Sequence, residues 1–348
     1  MKVRICALLL FCSVLQAQTV LEELLPYIPQ QAEVIDFNHW ENVWQQLAPD
    51  GSRADKLEAY RNAFVENRVY MTVTPFNRGD AHADTWGWDH TNLRWEAHLW
   101  WFDEATGEEF PFYIVAFSEA TALEALTELF LERDFSQEPL KGAELYHFPF
   151  EEDADWQANT DFSLYNTAIV KDNLILILSY SADAVERVLA VKAGESKPLA
   201  KPIQAALRSL KPEASWLRAS FSPRVCNTLR LSYFAEDLTA AGEWLLNASL
   251  HDYEGLVVSY SLEEDEVTGG FHFFYKDKTN AKRDEGTRAR LVEESSGLGV
   301  LTESLPLELL NSEVQSTRLS LYVRQQVGLV QPFSGVALYP PPALTLCP

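Results

Sequence analysis

Leu164-Tyr165-Asn166-Thr167-Ala168-Ile169-Val170, then Lys171-Asp172-Asn173, then Leu174-Ile175-Leu176-Ile177-Leu178-Ser179-Tyr180 sets out the architecture of this chain. Two apolar runs rich in β-branched residues flank a short polar turn. Asp and Asn tolerate the positive φ that tight turns require, so the pattern predicts a hairpin. The second run is apolar at nearly every position, as expected of a central strand covered on both faces. Ser181 follows, placed to cap a helix, and Val185, Val188 and Leu189 recur at helical spacing. The unit is strand, turn, strand, capped helix. It fixes architecture and carries no chemistry.

Met1 to Ala17 has the layout of a secretion signal. Lys2 and Arg4 precede an apolar run from Ile5 to Leu15, and Leu15-Gln16-Ala17 offers a small-residue cleavage site before Gln18. The run is too short for a permanent membrane-spanning helix. Phe11 in front of Cys12 is too bulky for the usual lipidation site. No later stretch is long and apolar enough to span a bilayer. The expected location is therefore periplasmic or extracellular, after signal cleavage and with no transmembrane segment.

Hydrophobic residues make up 47% of the 348, enough to fill a core. The chain carries 28 basic and 51 acidic residues, net −23; removing Lys2 and Arg4 with the signal leaves 26 against 51, or −25. Such a charge repels nucleic acid and anionic head groups, because phosphate binding depends on Lys and Arg. Glu151-Glu152-Asp153 and Glu263-Glu264-Asp265-Glu266 lack the oxygen rhythm of a calcium loop and read as solvated turns.

Taken in order, Val34 to Phe37 reads as a strand, with Asn38 capping a helix that carries Trp40, Val43, Trp44 and Leu47. Ser52 and Asp55 resemble a capping box ahead of Leu57, Tyr60 and Phe64. Arg68 to Thr74 alternates as a strand, and 77–94 reads as a polar loop. Trp95 to Phe102, a turn at 103–107 and Phe110 to Phe117 form a second hairpin, with Ser118 expected to cap a helix through Leu123, Leu126, Leu129 and Phe130. A third version runs from Leu256 to Tyr275, with a helix over 280–294. Ile203 to Leu210 and Leu238 to Leu246 read as helices; Ser215 to Phe221 and Thr317 to Val323 read as strands. Together these predict an α+β fold of antiparallel sheets, built from repeated strand-turn-strand-helix units with helices packed on one face. The turn signal at Ser222-Pro223 divides the mature chain into 18–222 and 223–348, the latter ending in a Pro-rich tail.

Leu25-Pro26 with Ala32 after it, Gly87-Trp88-Asp89 before Trp95-Glu96, and Leu199 to Leu210 together resemble a family of exported bacterial proteins carrying a domain of unknown function. The resemblance covers about Leu25 to Phe221. It implies an α+β fold and a cell-envelope location, and it supplies no catalytic residues.

The stretch from Asp80 to Trp101 is where binding chemistry concentrates. It holds His82, Asp84, Asp89, His90 and His98 together with Trp86, Trp88, Trp95, Trp100 and Trp101. Imidazole and carboxylate suit a metal, and exposed indoles suit a sugar or protein surface. The favoured reading, however, is that the same tryptophans fold back onto the sheet, since aromatic stripes are more often core. Trp86, Trp88, His90, His98 and Trp100 are the ligand-binding candidates. No residues are assigned to a metal, and the sequence calls for no cofactor. There is no Gly-x-Ser-x-Gly elbow, phosphate loop, Cys-x-x-Cys or His-Glu-x-x-His. Asn247-Ala248-Ser249 is an N-glycan acceptor pattern that matters only in a eukaryotic secretory route.

The expected function is an exported envelope protein that binds a protein, glycan or lipid partner, or that plays a structural role, without catalysis. One alternative is a hydrolase with a carboxylate or His site near the 80–101 loop; another is a carrier of an apolar ligand. Cys226 and Cys347 are the thiols left after signal cleavage, an even pair compatible with a disulfide in an oxidising compartment.

Overall fold

The computed structural model of the protein describes residues 20–65, 80–103, 108–148, 166–179, 181–208, 210, 214–221, 250–263, 266–294 and 307–325. The signal segment, the 68–74 strand, the 103–107 turn beyond Asp103, the Ser222-Pro223 boundary, the 238–246 helix, Cys226, Cys347 and the Pro-rich tail lie outside them. Two compact units emerge. Described residues within 20–42 and 80–214 make the first, and those within 43–65 and 215–325 the second. Helices and antiparallel strands both contribute, so the fold is α+β. No helix among the described residues is long and apolar enough to cross a membrane.

In the first unit, β1 (Val34–Asn38), β2 (Leu93–Asp103), β3 (Glu108–Phe117), β4 (Ser136–Leu140), β5 (Ala143–His147), β6 (Asn166–Val170) and β7 (Ile175–Ser179) form an antiparallel sheet. Its strand order is β1-β2-β3-β7-β6-β5-β4. The predicted hairpin is β6 and β7, paired from Asn166↔Ser179 to Val170↔Ile175. Every residue of β7 is buried, as its unbroken apolar run required. The turn differs in detail. Lys171–Asn173 forms one turn of 3₁₀ helix, and the positive φ falls on Leu174 at 54° rather than on Asp172 or Asn173. Leu174 thus closes the turn and does not belong to the strand.

Register partners share a face of the sheet. One row runs Asp36, His98, Tyr113, Leu178, Thr167, Tyr146, and the next runs Phe37, Ala97, Ile114, Ile177, Ala168, Leu145 on the opposite face. The helix α4 (Ala120–Glu132) covers the first face, where Phe130 lies 5.3 Å from the Tyr146 ring. The helix α5 (Ala182–Lys192) covers the second, with the Arg187 guanidinium over Trp101 and Phe110. Helices therefore lie on both faces of this sheet, which corrects the expectation of one. The cause is that both faces of β3 and β7 are apolar and each requires a cover.

Ser181 caps α5 as expected, accepting the Ala184 N–H at 3.4 Å. Ser118 does not cap α4; Glu119 occupies that place without a side-chain hydrogen bond. Asn38 ends β1 and sends its amide to Glu96 at 2.8 Å. The β4–β5 hairpin was not anticipated. Its turn at Lys141 and Gly142 has φ of 50° and 81°, the left-handed pair of a two-residue hairpin turn. β4 is the edge strand, exposed along most of its length, and carries Pro139.

The chain passes from the first unit to the second within α1 (Trp40–Leu47). The second unit holds α2 (Arg53–Val65), entered through the predicted capping box: Ser52 Oγ accepts from Asp55 N, and Asp55 Oδ2 accepts from Ser52 N at 2.9 Å. Its sheet orders β8 (Trp216–Ser220), β9 (Tyr253–Glu263), β10 (Glu266–Tyr275), β12 (Arg318–Gln325) and β11 (Leu307–Gln315) as neighbours. One face buries Leu256, Val258, Phe271, Phe273, Leu319 and Leu321. Across it runs α7 (Lys278–Glu294), burying Ala281, Leu291 and Val292. The first unit's remaining helices are α3 (Asp80–Trp86) and α6 (Lys201–Arg208).

Candidate functional site

The stretch from Asp80 to Arg94 contains a helix where a loop was expected. α3 spans Asp80–Trp86, and Gly87 ends it at φ 76°, its N–H bonded to Ala83 O at 2.8 Å. Asp89 then caps one turn of 3₁₀ helix at His90–Asn92: its carboxylate accepts from Thr91 N at 2.8 Å, while Asn92 Oδ1 accepts from Asp89 N at 3.0 Å. Asp89 and Asn92 thus serve the backbone here.

Two of the five ligand-binding candidates are interior. Trp86 is 3% exposed, edge-on to Phe130 at 6.0 Å, with the Arg133 guanidinium 4.4 Å above its ring. Trp88 is 1% exposed and wedged between His82 at 4.8 Å and Phe117 at 5.2 Å. An indole at this spacing buries a large apolar area, which outweighs leaving it in water. His90 is half-buried against Trp40 at 4.8 Å. His82 is buried, and desolvation pushes its pKa down to about 4 against the opposing pull of Asp89.

The remaining two candidates come together. His98 stacks on Tyr113 at 4.5 Å and 15°, and Trp100 lies 5.0 Å from His98. All three are half-buried and belong to one face of β2 and β3. Two carboxylates share that face: Asp36 opposite His98 on β1, and Glu96, fully buried, two residues before it. This is an aromatic ledge with acidic neighbours. Among the described residues, no three His, Cys, Asp or Glu side chains converge as metal ligands.

A second polar constellation, absent from the sequence reading, lies in the second unit. Asp284 and Arg288 are both fully buried on α7. Arg288 Nε donates to Tyr275 Oη at 2.7 Å, and that hydroxyl donates to Asp284 Oδ2 at 2.9 Å. His251 adds its backbone N–H to Oδ2 at 2.9 Å and its Nδ1 to Oδ1 at 2.6 Å. Burial raises the Tyr275 pKa, Arg288 pulls it back and Asp284 adds to the rise. The available signal was the spacing: Asp284 and Arg288 fall on the stripe of Ala281, Leu291 and Val292, so α7 turns two charges inward.

No family model matches this chain. No curated protein matches it either. Among solved structures it is similar to TP0453 in three crystal forms. Form III gives a TM-score of 0.43 at 10% identity, over 87% of this chain and 93% of that one. Form IV gives 0.41 at 8% identity, over 90% and 95%. Form I gives 0.41 at 10% identity, over 87% and 92%.

Proposed function

We propose that this chain is an exported cell-envelope protein that binds a protein, glycan or lipid partner through the His98, Tyr113 and Trp100 ledge, and that it does so without catalysis there. The clustering of these rings, His98 stacked on Tyr113 and tilted against Trp100, is the observation that carries the reading. Flat aromatic faces offer apolar contact at low entropy cost. Export to the periplasm or exterior rests on the Met1 to Ala17 segment, and the likeness to exported proteins with a domain of unknown function rests on Gly87-Trp88-Asp89 and Trp95-Glu96.

The repeated-unit reading belongs to this proposal. It draws support from the recurring order of hairpin then helix in β2-β3-α4, β6-β7-α5 and β9-β10-α7. Because α4 and α5 take opposite faces, the repetition is one of order rather than of packing.

The test is mass spectrometry of ligands that co-purify from the native compartment, comparing wild type with Trp100→Ala. A ligand present with wild type and depleted with Trp100→Ala supports the ledge. Equal recovery from both sinks it. N-terminal sequencing of the same preparation should begin at Gln18; an intact Met1 overturns the export reading.

A further inference from the structure

Residues 276–290 hold six of the chain's 28 basic residues, Lys276, Lys278, Lys282, Arg283, Arg288 and Arg290, against three of its 51 acidic ones. α7 sorts them. Asp284 and Arg288 turn inward and offset each other. Lys282, Arg283, Gly286 and Arg290 are exposed on the outward face, opposite the buried Ala281, Leu291 and Val292, and Lys276 and Lys278 are exposed where the helix starts. The other two acids are engaged. Asp277 accepts the Thr279 and Asn280 N–H groups at 2.8 and 2.9 Å, and Glu285 accepts the Ser312 hydroxyl at 3.0 Å. A methyl group at Gly286 would meet nothing within 4 Å, so the stripe is open between Arg283 and Arg290.

Helix stability does not account for this layout. The macrodipole favours acids in the first turn and cations in the last, and like charges four residues apart repel. α7 has no acid in its first turn and no cation in its last, and it closes on Glu293-Glu294. Lys278 and Lys282 stand four apart. Charges set against local preference mark a surface kept for something other than stability.

We propose that the outward face of α7 docks this protein on an anionic lipid surface. The apolar stripe of the helix is already packed on the sheet, so α7 cannot enter a partner's groove as free amphipathic helices do. Only the charged face remains for contact. From Lys278 to Arg290 its cations are spread over about 18 Å of helix, a layout that suits a plane of phosphate head groups. The net charge of −23 opposes the approach, but charges farther than about 8 Å are largely screened at physiological salt. The contact is peripheral and electrostatic, and it does not rest on the ledge in the first unit.

The test is co-sedimentation of the mature chain with vesicles of phosphatidylcholine alone and of phosphatidylcholine with an equal part of phosphatidylglycerol. Wild type should bind the mixed vesicles only, and binding should be lost as salt rises to about 0.5 M. Lys278→Gln, Lys282→Gln and Arg283→Gln together, checked for an unchanged urea transition, should weaken binding about 100-fold. Lys192→Gln, Lys197→Gln and Lys201→Gln remove three exposed cations of the first unit, change the net charge equally and should weaken it far less. No binding by wild type, or equal weakening by the two triple variants, overturns the proposal. Capture on immobilised poly-glutamate without binding to either vesicle gives the stripe an acidic protein partner and overturns the lipid surface. Should the α7 variant fail to fold, wild type decides: equal binding to the two vesicle types, or binding that survives salt, rejects an anionic surface.

Discussion

The guanidinium carbon of Arg288 stands 4.3 Å from the centroid of the Phe273 ring, with both side chains buried. A cation in such surroundings is tolerable because the ring face is electron-rich and Asp284 offsets its charge. Arg288→Met removes the cation and leaves the carboxylate uncompensated. The expected loss is about 3–5 kcal/mol in urea unfolding. Replacing Asp284 and Arg288 together by Leu and Met should recover most of it. A double variant no more stable than Arg288→Met would mean that the two charges act independently.

Leu176 lies at the centre of β7, fully buried. Leu176→Asp places an unpaired charge between two covered faces and should cost several kcal/mol. An unchanged melting temperature would remove β7 from the centre of the sheet.

Trp86 and Trp88 are core residues, so each substitution by Ala should cost about 3–5 kcal/mol. Trp100→Ala, at a half-buried ring, should cost clearly less. Thermal unfolding of the three variants checks the order. A Trp88→Ala protein as stable as Trp100→Ala would contradict the packing against His82 and Phe117.

Acid sensitivity follows from the buried histidines. Burial lowers the folded pKa of His82 to about 4 and that of His272 to about 3, both from 6.5. Below pH 6.5 the unfolded chain binds protons that the folded chain refuses, so stability is full above 6.5 and is lost as pH falls toward 4 and then 3. Each histidine accounts for a few kcal/mol. His82→Phe should flatten the loss between pH 6.5 and 4 in urea titrations. A slope identical to wild type would show that His82 titrates normally.

The β6–β7 hairpin and α5 were legible because each local signal agreed: β-branched runs, a polar turn, and Ser181 ahead of Val185, Val188 and Leu189. The β4–β5 hairpin was not, because an edge strand exposed along most of its length has no apolar side to alternate. α3 was hidden by its composition, Asp80-Ala81-His82-Ala83-Asp84, which reads as loop until Trp86 packs on Phe130. Of the candidate ledge, His98 and Trp100 could be found from the sequence, since strand alternation puts them together. Tyr113 needed the register of β3. The Asp284 and Arg288 pair stayed invisible because charges on a helix read as solvent-facing, and only their shared stripe with Ala281 and Leu291 says otherwise.

Pro139 has one more effect. It sits in β4, at the end of the first unit's strand order, where a sheet otherwise offers a row of free amides to any extended chain that drifts past. Proline has no amide hydrogen to give, and the carboxylate of Glu138 beside it repels another acidic chain of the same kind. Pairing of a further strand along β4 is thereby disfavoured. One imino acid, with one carboxylate beside it, thus works against edge-to-edge association.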